Sequence, residues 1–158
     1  MDTKAKGVVI ERLLDAPREV VWRAWTVPEE RMRWWGPTGY TSPACKIDLK
    51  VGGKYLFCME TPEGQKMYST GVYREIVLNE RLVYVDSFSD GDGNVVSAEA
   101  YGMPATIPLE MKITLTFEDV GGKTKLTIVH EGLPAGEMSD MTVIGWNESI
   151  DRLAAYLN

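Results

Sequence analysis

The hydrophobic pattern at the start of the chain predicts one strand followed by two short helices. The segment 8–14 is rich in Val, Ile and Leu, which is typical of a strand. Asp15 stands where a carboxylate can accept from the free N–H groups of a first helical turn, so we expect it to cap the first helix. A second helix is predicted over about 28–35, with Thr26 as its cap and Pro37 after its end.

The pattern then changes to a period of two and finally returns to helical spacing. Alternating apolar and polar residues predict about six strands, because successive side chains of a strand point to opposite faces. The alternating segments are 45–49, 55–59, 68–77, 82–88, 109–117 and 126–130. A last helix is predicted over about 137–157. Its apolar stripe consists of Trp146, Ile150, Leu153 and Leu157.

This order of elements predicts an α+β fold. Consecutive strands joined by tight turns form an antiparallel sheet, and its apolar face has to be covered by another element. The C-terminal helix is the longest element, so we expect a curved antiparallel sheet that wraps around it, with two short helices after the first strand. The chain shows no internal repeat, and residues 1–158 are predicted to form a single domain.

Composition and charge argue against several classes of partner. The chain has 17 basic and 23 acidic residues and a net charge of −6, whereas nucleic-acid binding needs a basic surface. No segment approaches the ~20 apolar residues of a membrane span, and residues 1–6 carry no secretory signal. The sequence therefore predicts a cytoplasmic protein in which Cys45 and Cys58 are free thiols.

Four of the five tryptophans lie close together between the first strand and the sheet. Such a cluster is either a dense packing centre or the wall of an apolar site, because Trp is the largest side chain to bury. We expect Trp22 and Trp25 to be packing residues beneath the two short helices. Trp34 and Trp35, which precede the end of the second helix, are expected to face a ligand, with Trp35 the favoured residue of the two.

His130 is the only histidine and is the first candidate for chemistry. Its position in the alternating strand predicts an inward side chain, which makes it a general base, a polar anchor for a ligand, or a structural histidine bonded to a neighbouring element. Asp86, Glu99 and Glu148 are the acidic residues that could assist it, and each could equally lie at a rim or cap a neighbour. Neither a metal site nor a Ser-His-Asp triad is indicated.

The remaining candidates are apolar and aromatic residues that could line a binding cavity. Methionine suits a surface that repacks around varied apolar ligands, although ordinary core packing explains the same residues. These candidates are Tyr55, Phe57, Met59, Tyr84, Phe88, Met111, Met138 and Met141. All but Met59, Phe88 and Met111 are predicted ligand-binding residues. The segment 90–108 is long for a hairpin loop, and we expect its Tyr101 and Met103 to fold over the cavity entrance as a lid. Its acidic run lacks the distal Glu of a calcium loop.

Five motifs, in this order along the chain, resemble the signature of the family named after the activator of heat-shock-protein-90 ATPase. They are WRAWTxPE at 22–29 with WWGP at 34–37, DLKVGGKY at 48–55, GVYREI at 71–76 with ERLVY at 80–84, GxTxLTIxH at 122–130, and GW at 145–146 followed by Leu153. The resemblance covers nearly the whole chain. Five ordered motifs make it specific for the family and its fold.

The resemblance implies a helix-grip fold of the START-like (SRPBCC) superfamily, which includes lipid carriers, polyketide cyclases and pollen-allergen-like ligand binders. It also implies a cavity between the sheet and the long helix. The larger eukaryotic co-chaperones of the family carry an additional N-terminal domain that this sequence lacks. A chaperone is therefore a partner that the resemblance allows but does not favour.

The leading hypothesis is a non-catalytic protein that binds a small hydrophobic, aromatic or lipid-like molecule without a cofactor or metal. One alternative is a cyclase-like or hydrolase-like enzyme in which His130 and an acidic partner act as the base. The other is a chaperone-interaction module with an exposed apolar patch near the Trp-rich helices. A carrier needs a large, nearly uncharged cavity, an enzyme a titratable pair facing it, and a chaperone module a filled core. The sequence leaves a homodimer open.

Overall fold

The computed structural model describes residues 7–158, so residues 1–6, in which the sequence predicts no secretory signal, lie outside the described residues. The described chain forms seven strands and three α-helices. In chain order they are β1 (Val8–Leu14), α1 (Arg18–Thr26), α2 (Pro28–Arg31), β2 (Cys45–Ile47), β3 (Lys54–Glu60), β4 (Lys66–Val77), β5 (Arg81–Ser89), β6 (Met111–Val120), β7 (Lys123–His130) and α3 (Glu137–Leu157). A short 3₁₀ helix, Ala98–Tyr101, lies in the loop before β6.

All seven strands belong to one antiparallel sheet in the order β1-β7-β6-β5-β4-β3-β2. Strands β2 to β7 form a meander, because each is joined to the next by a local connection and pairs with it. The first strand closes against the last, with Val8 opposite His130 and Leu14 opposite Thr124. The predicted α+β helix-grip architecture, a curved sheet around the C-terminal helix with two short helices after β1, is confirmed.

The apolar stripe of α3 packs on the inner face of the sheet. Trp146, Ile150 and Leu153 are buried, as the spacing predicts, and Leu157 at the helix end is half-buried. Arg12 of β1 ties the helix to the sheet edge, because its guanidinium donates to the Asp151 carboxylate at 2.6 Å. The bounds predicted for β1 and α3 agree with the structure.

The predicted caps of the two short helices are wrong. Helix α1 begins at Arg18 after an extended Pro17, and no side chain caps it, so Asp15 is too far upstream. Thr26 lies inside α1 rather than before α2, because its hydroxyl donates to the Trp22 carbonyl oxygen at 2.8 Å and is therefore used within the helix. Val27 occupies the capping position of α2 instead.

Two predicted boundaries also differ from the structure. Helix α2 ends at Arg31, and a tight turn then carries the chain to Trp35, whose N–H donates to the Arg31 carbonyl oxygen at 3.0 Å. Strand β6 begins at Met111, which pairs with Asp86 at the end of its ladder with β5. Leu109 therefore belongs to the preceding loop and is 56% exposed, although it continues the alternating pattern of the strand.

Candidate functional site

A cavity of about 310 Å³ lies between the inner face of the sheet and α3. This is about twice the ~150 Å³ of an engineered apolar cavity that binds benzene, and it lies at the lower end of the ~300–1,000 Å³ typical of ligand pockets. The lining residues are Trp35, Pro37, Tyr40, Phe57, Met59, Met67, Ser69, Tyr84, Asp86, Phe88, Met103, Ile107, Met111, Ile113, His130, Leu133, Met138, Met141, Thr142, Gly145, Trp146 and Ser149.

The wall of this cavity is mostly apolar and rich in methionine. Six of the eight methionines line it, and among its aromatic residues Trp35 packs against both Phe57 and Trp146, with ring centroids 5.6 and 5.7 Å apart. Unbranched Met side chains adapt to differently shaped apolar surfaces, whereas the packed aromatic rings form a fixed part of the wall. Such a surface suits an apolar ligand better than a polar one.

Asp86 on β5 is the single carboxylate in the wall, and a row of three residues across the sheet holds it. Tyr55 of β3 lies opposite Gly71 of β4, and Gly71 lies opposite Asp86. A side chain on Gly71 would collide with the Tyr55 hydroxyl. Because position 71 is glycine, the Tyr55 ring crosses β4 and its hydroxyl donates a short hydrogen bond to Asp86 Oδ1.

Burial raises the pKa of Asp86 from 3.8 to about 7, while the Tyr55 hydrogen bond and the Arg31 charge act in the opposite direction. Taking a carboxylate out of water disfavours its charged form, and one neutral donor does not compensate for that loss. Asp86 is half-buried, and its remaining surface faces the cavity. The cavity therefore contains a carboxyl group that changes charge near neutral pH.

Arg31 lies behind the aromatic wall and is 1% exposed. Its guanidinium carbon lies 3.8 Å from the Phe57 ring centroid and 4.0 Å from that of Trp35, which are cation–π distances. One nitrogen, Nη1, donates to the Trp25 carbonyl oxygen at 3.1 Å, and Nε and Nη2 have no partner among the described residues. The positive charge is thus held by aromatic faces and stands behind two residues of the cavity wall.

His130 is buried and both of its ring nitrogens are engaged. The Trp146 indole N–H donates to Nδ1 at 3.1 Å, so Nδ1 must carry a free electron pair and the ring proton lies on Nε2. Nε2 lies 3.3 Å from the Met111 sulfur. Burial lowers the pKa of His130 from 6.5 to about 4. His130 is therefore a neutral, fixed imidazole rather than a free base.

Seven of the nine residues predicted to bind a ligand line the cavity: Trp35, Phe57, Tyr84, Met103, His130, Met138 and Met141. Tyr55 and Tyr101 do not. Tyr55 lies behind the wall, where it stacks on Phe57 with ring centroids 4.1 Å apart and holds Asp86. Tyr101 anchors the loop, because its hydroxyl donates to the Ser89 carbonyl oxygen at 2.5 Å and accepts from the Tyr68 N–H at 3.1 Å.

The three acidic candidates are separated by the structure. Asp86 lines the cavity, whereas Glu99 is exposed on the 3₁₀ helix. Glu148 accepts from the Thr38 N–H at 3.1 Å and so ties α3 to the segment after α2. Met111 is the neighbour that Asp86 and His130 share. Its sulfur contacts the imidazole of His130, and its backbone pairs with Asp86 across the sheet.

The expectation that Trp34 faces a ligand is wrong. Trp34 is 0% exposed and its indole N–H donates to the Ala24 carbonyl oxygen at 3.0 Å, so it joins the turn after α2 to α1. Trp22 and Trp25 are buried packing residues, in agreement with the sequence prediction. Of the four clustered tryptophans, Trp35 is the one that lines the cavity.

Arg31 and Gly145 are the most informative of the residues around the site that sequence reasoning missed. Arg31 stands in a polar tetrapeptide helix, and nothing in that pattern indicates a buried cation. Gly145 of α3 lines the cavity, and a Cβ atom there would meet nothing within 4 Å. Glycine in a helix interior costs about 1 kcal/mol relative to alanine, which is the one signal in the sequence that could have marked this position.

Residues 7–158 contain neither a metal-binding cluster nor a membrane-spanning helix. No group of three or more His, Cys, Asp or Glu side chains in this part of the chain is arranged to hold a metal ion. None of the described helices is long and apolar enough to cross a membrane. Both cysteines, Cys45 and Cys58, are free thiols.

The curved sheet, the C-terminal helix and the position of the cavity define a helix-grip protein of the START-like superfamily. The chain belongs to the family described as Activator of Hsp90 ATPase homolog 1-like protein, whose profile matches residues 15–158. No curated protein matches the chain significantly.

Several solved structures are similar to this one. An X-ray structure of a Chromobacterium violaceum protein is 31% identical, covers 96% of each chain and superposes with a TM-score of 0.76. A Nitrosomonas europaea protein has a TM-score of 0.80 at 24% identity, over 99% of this chain and 96% of that chain. A family protein of Silicibacter pomeroyi has a TM-score of 0.74 at 24% identity, over 95% of this chain and 96% of that one. The last two show the common fold alone.

Proposed function

We propose that the protein binds a small, mostly apolar molecule, aromatic or lipid-like, between the sheet and α3 without transforming it. The observation that carries this proposal is the cavity itself, with about 310 Å³ of space inside a wall of methionine and aromatic side chains. An empty apolar cavity forfeits the contacts that a packed core would make. A ligand with an apolar body would supply those contacts.

Gly145 supports the same function. Its missing side chain leaves open space on the face of α3 that lines the cavity, although alanine would stabilise the helix. A residue that weakens the helix and keeps the cavity open is expected where the open volume is used.

The enzymatic alternative, with His130 as the base, has less support. The electron pair on His130 Nδ1 already accepts from Trp146, and its pKa is lowered to about 4. The imidazole Nε2 contacts the Met111 sulfur at 3.3 Å, and Asp86 does not appear among the groups that shift the pKa of His130, so nothing among the described residues couples the two as an acid–base pair.

The chaperone alternative predicts an apolar patch near the Trp-rich helices. None of the large exposed hydrophobic side chains among the described residues lies on α1 or α2. The tryptophans of this region pack inward around Arg31 instead. The geometry therefore favours the ligand-binding proposal. The cytoplasmic location and the homodimer stay predictions.

Methyl NMR of the methionines tests the proposal. The cavity methionines are Met59, Met67, Met103, Met111, Met138 and Met141. Titration with 2-ethylnaphthalene, an apolar two-ring probe, is expected to shift their methyl signals in a saturable manner. Met32, which is not part of the wall, serves as the internal control. A probe that leaves all six signals in place would overturn the proposal.

Two variants at one position separate cavity binding from binding elsewhere. Gly145→Ala adds one methyl group and is expected to leave probe binding within about threefold of wild type while stabilising the helix by up to ~1 kcal/mol. Gly145→Phe projects a ring into the cavity and is expected to abolish binding. Equal binding by both variants would contradict the proposed site. Native mass spectrometry of gently purified wild type and Gly145→Phe then tests whether a small molecule co-purifies with the open cavity only.

A further inference from the structure

The charged and polar side chains of the cavity wall indicate which polar group the ligand carries. This inference rests on the proposal above that the cavity binds a ligand. Asp86 is the only charged side chain among the 22 lining residues, and His130 is held neutral. The Asp86 Oδ1 atom accepts from the Tyr55 hydroxyl, and no donor among the described residues bonds to Oδ2. Because Asp86 lines the cavity, Oδ2 is the charged acceptor that a donor group of a ligand would reach.

None of the described groups around Asp86 donates to Oδ2. Tyr55 of β3 supplies the one donor to Asp86, at Oδ1, and on the β4 side Gly71 has no side chain. Met111, its partner on β6, presents no N–H or O–H group. Tyr84, two residues earlier on β5, has a buried hydroxyl that makes no hydrogen bond to the carboxylate.

Among residues 7–158, Arg31 is the cation whose charge acts on Asp86, and the two side chains form no ion pair. Its two unpartnered nitrogens are fully enclosed behind the aromatic wall, so they do not reach a ligand in the cavity. The charge compensates Asp86 only from a distance. A ligand anion would find no exposed donor of this guanidinium and would face the carboxylate directly.

We propose that the ligand is an apolar molecule with one hydrogen-bond donor, a hydroxyl or an ammonium group, and that this group donates to Asp86 Oδ2 while the apolar body occupies the methionine and aromatic wall. Tyr55 is then a positioning residue. Its hydrogen bond orients the carboxylate, and Gly71 provides the space for that bond.

Four probes with one naphthalene ring test the proposal by isothermal titration calorimetry at pH 8.5, where Asp86, with a pKa of about 7, is charged. They are 2-ethylnaphthalene, 2-naphthalenemethanol, 2-(aminomethyl)naphthalene and 2-naphthoate. We expect at least one of the hydroxyl and ammonium probes to bind about tenfold or more tightly than the hydrocarbon, which is the range of a hydrogen bond to a charged group. The naphthoate is expected to bind most weakly. Comparison of the hydroxyl and ammonium probes identifies which donor the cavity prefers.

Asp86→Asn and Glu99→Gln form the matched pair of variants, because each replaces a carboxylate by the amide of the same shape. Asparagine at position 86 can still accept from Tyr55, but it presents an N–H₂ group in place of the free oxygen. We expect this variant to lose the preference for the donor probes over the hydrocarbon to within about threefold. Glu99 is exposed and lies outside the cavity wall, so Glu99→Gln is expected to retain the preference.

The outcomes distinguish this inference from the function on which it rests. If no probe binds wild type, the proposed cavity function itself is wrong. If the hydrocarbon binds as tightly as both donor probes, or if Asp86→Asn retains the donor preference, the donor assignment is wrong and the cavity function stands. Circular dichroism and thermal unfolding of each variant establish that it is folded. If Asp86→Asn does not fold, Asp86→Ser provides the same test.

Discussion

The Trp146 indole N–H donates to His130 Nδ1 at 3.1 Å, which joins the middle of α3 to the last residue of β7. An indole nitrogen can only donate, so the bond selects the imidazole tautomer with its proton on Nε2. The bond also competes with protonation, because a proton on Nδ1 would have to displace the indole. The only histidine of the chain is thus a packing and hydrogen-bonding element of the cavity wall.

The first prediction concerns the titration of His130. Burial lowers the pKa of this group to about 4, so we expect its ring signals in NMR spectra to stay constant between about pH 5.5 and 8. Nitrogen shifts are expected to show a protonated Nε2. The measurement is unambiguous because the chain has a single histidine. Trp146→Phe removes the competing donor and is expected to raise the pKa. A wild-type midpoint near 6.5 would contradict the assignment.

The second prediction concerns the pH dependence of stability through Asp86. The folded protein holds this proton up to about pH 7, whereas the unfolded chain releases it near 3.8. The resulting contribution to stability is complete below 3.8 and is lost as the pH rises through 7. Asp86→Asn does not lose stability in this way, because asparagine does not titrate. The free energy of unfolding of Asp86→Asn minus that of wild type is therefore expected to increase by on the order of 2 kcal/mol between about pH 5 and 8. This figure is reduced to allow for screening by water in the cavity.

Urea denaturation of both proteins at each pH measures this difference, and other titrating groups cancel in the comparison. His130 contributes with the opposite sign, because its pKa is lowered and its stabilising contribution is lost as the pH falls. Tyr55→Phe is the matched control. It removes a hydrogen bond that favours the carboxylate, so the pH range of the Asp86 effect is expected to move upward. A constant difference between wild type and Asp86→Asn would refute the prediction.

The third prediction tests the charge of Arg31. Its positive charge lowers the pKa of Asp86 against the effect of burial. Arg31→Met removes the charge and retains a long apolar side chain among the aromatic rings, so the pKa of Asp86 is expected to rise above about 7. Carbonyl-carbon NMR of the Asp86 side chain measures the shift. Arg31→Lys retains the charge and is expected to give a smaller change; equal pKa values in wild type and Arg31→Met would show that the charge does not act on Asp86.

The fourth prediction concerns two glycines with opposite surroundings. A Cβ atom at Gly71 would collide with the Val85 carbonyl oxygen and the Tyr55 hydroxyl, whereas one at Gly145 meets nothing. Gly71→Ala is expected to destabilise the protein by about 1–3 kcal/mol, and Gly145→Ala to stabilise it by up to ~1 kcal/mol. Thermal and urea unfolding measure both. If both substitutions changed the free energy of unfolding equally, the hydrogen bond between Tyr55 and Asp86 would not require glycine at position 71.

The fifth prediction concerns the loop before β6. The Tyr101 hydroxyl bonds to backbone groups of Ser89 and Tyr68, and this fixes the segment that carries Met103 to the cavity. Tyr101→Phe is expected to accelerate amide hydrogen exchange in segment 98–107 by about fivefold, since a net hydrogen bond contributes ~1 kcal/mol. Tyr156→Phe, which removes an exposed hydroxyl that donates to Glu30 at 3.1 Å, is the control.

The same exchange measurement tests the lid hypothesis for this loop. A ligand in the cavity is expected to slow exchange in segment 98–107, because Met103 and Ile107 would contact it. Equal protection with and without 2-ethylnaphthalene, at a concentration that shifts the methionine signals, would exclude a lid.

The elements and their faces follow from the sequence alone. A period of two marks the strands and a period near 3.6 marks α3, because the geometry of each element decides which side chains share a face. Leu126, Ile128 and His130 share the inner face, as their alternation predicts. The local pattern is less informative at helix ends, where one side chain can form either of two hydrogen bonds. The Thr26 hydroxyl donates within α1 and therefore does not cap α2.

The site depends on relationships that no local pattern contains. Trp34 and Trp35 are adjacent and equally apolar, and only their packing against Ala24 and Phe57 separates a buried residue from a cavity residue. Arg31 appears in the sequence as an ordinary surface cation, yet the aromatic rings of other elements enclose it.

The sequence by itself determined the antiparallel sheet, the long covering helix and the inward position of His130, because hydrophobic periodicity acts over a few residues. The tertiary structure decided that the inner face encloses a cavity and that one carboxylate faces it. The physical reason is strand register, which places Tyr55, Gly71 and Asp86 in one row across three strands. The charge state of Asp86 then follows from its burial and from the distant Arg31, neither of which is encoded near residue 86.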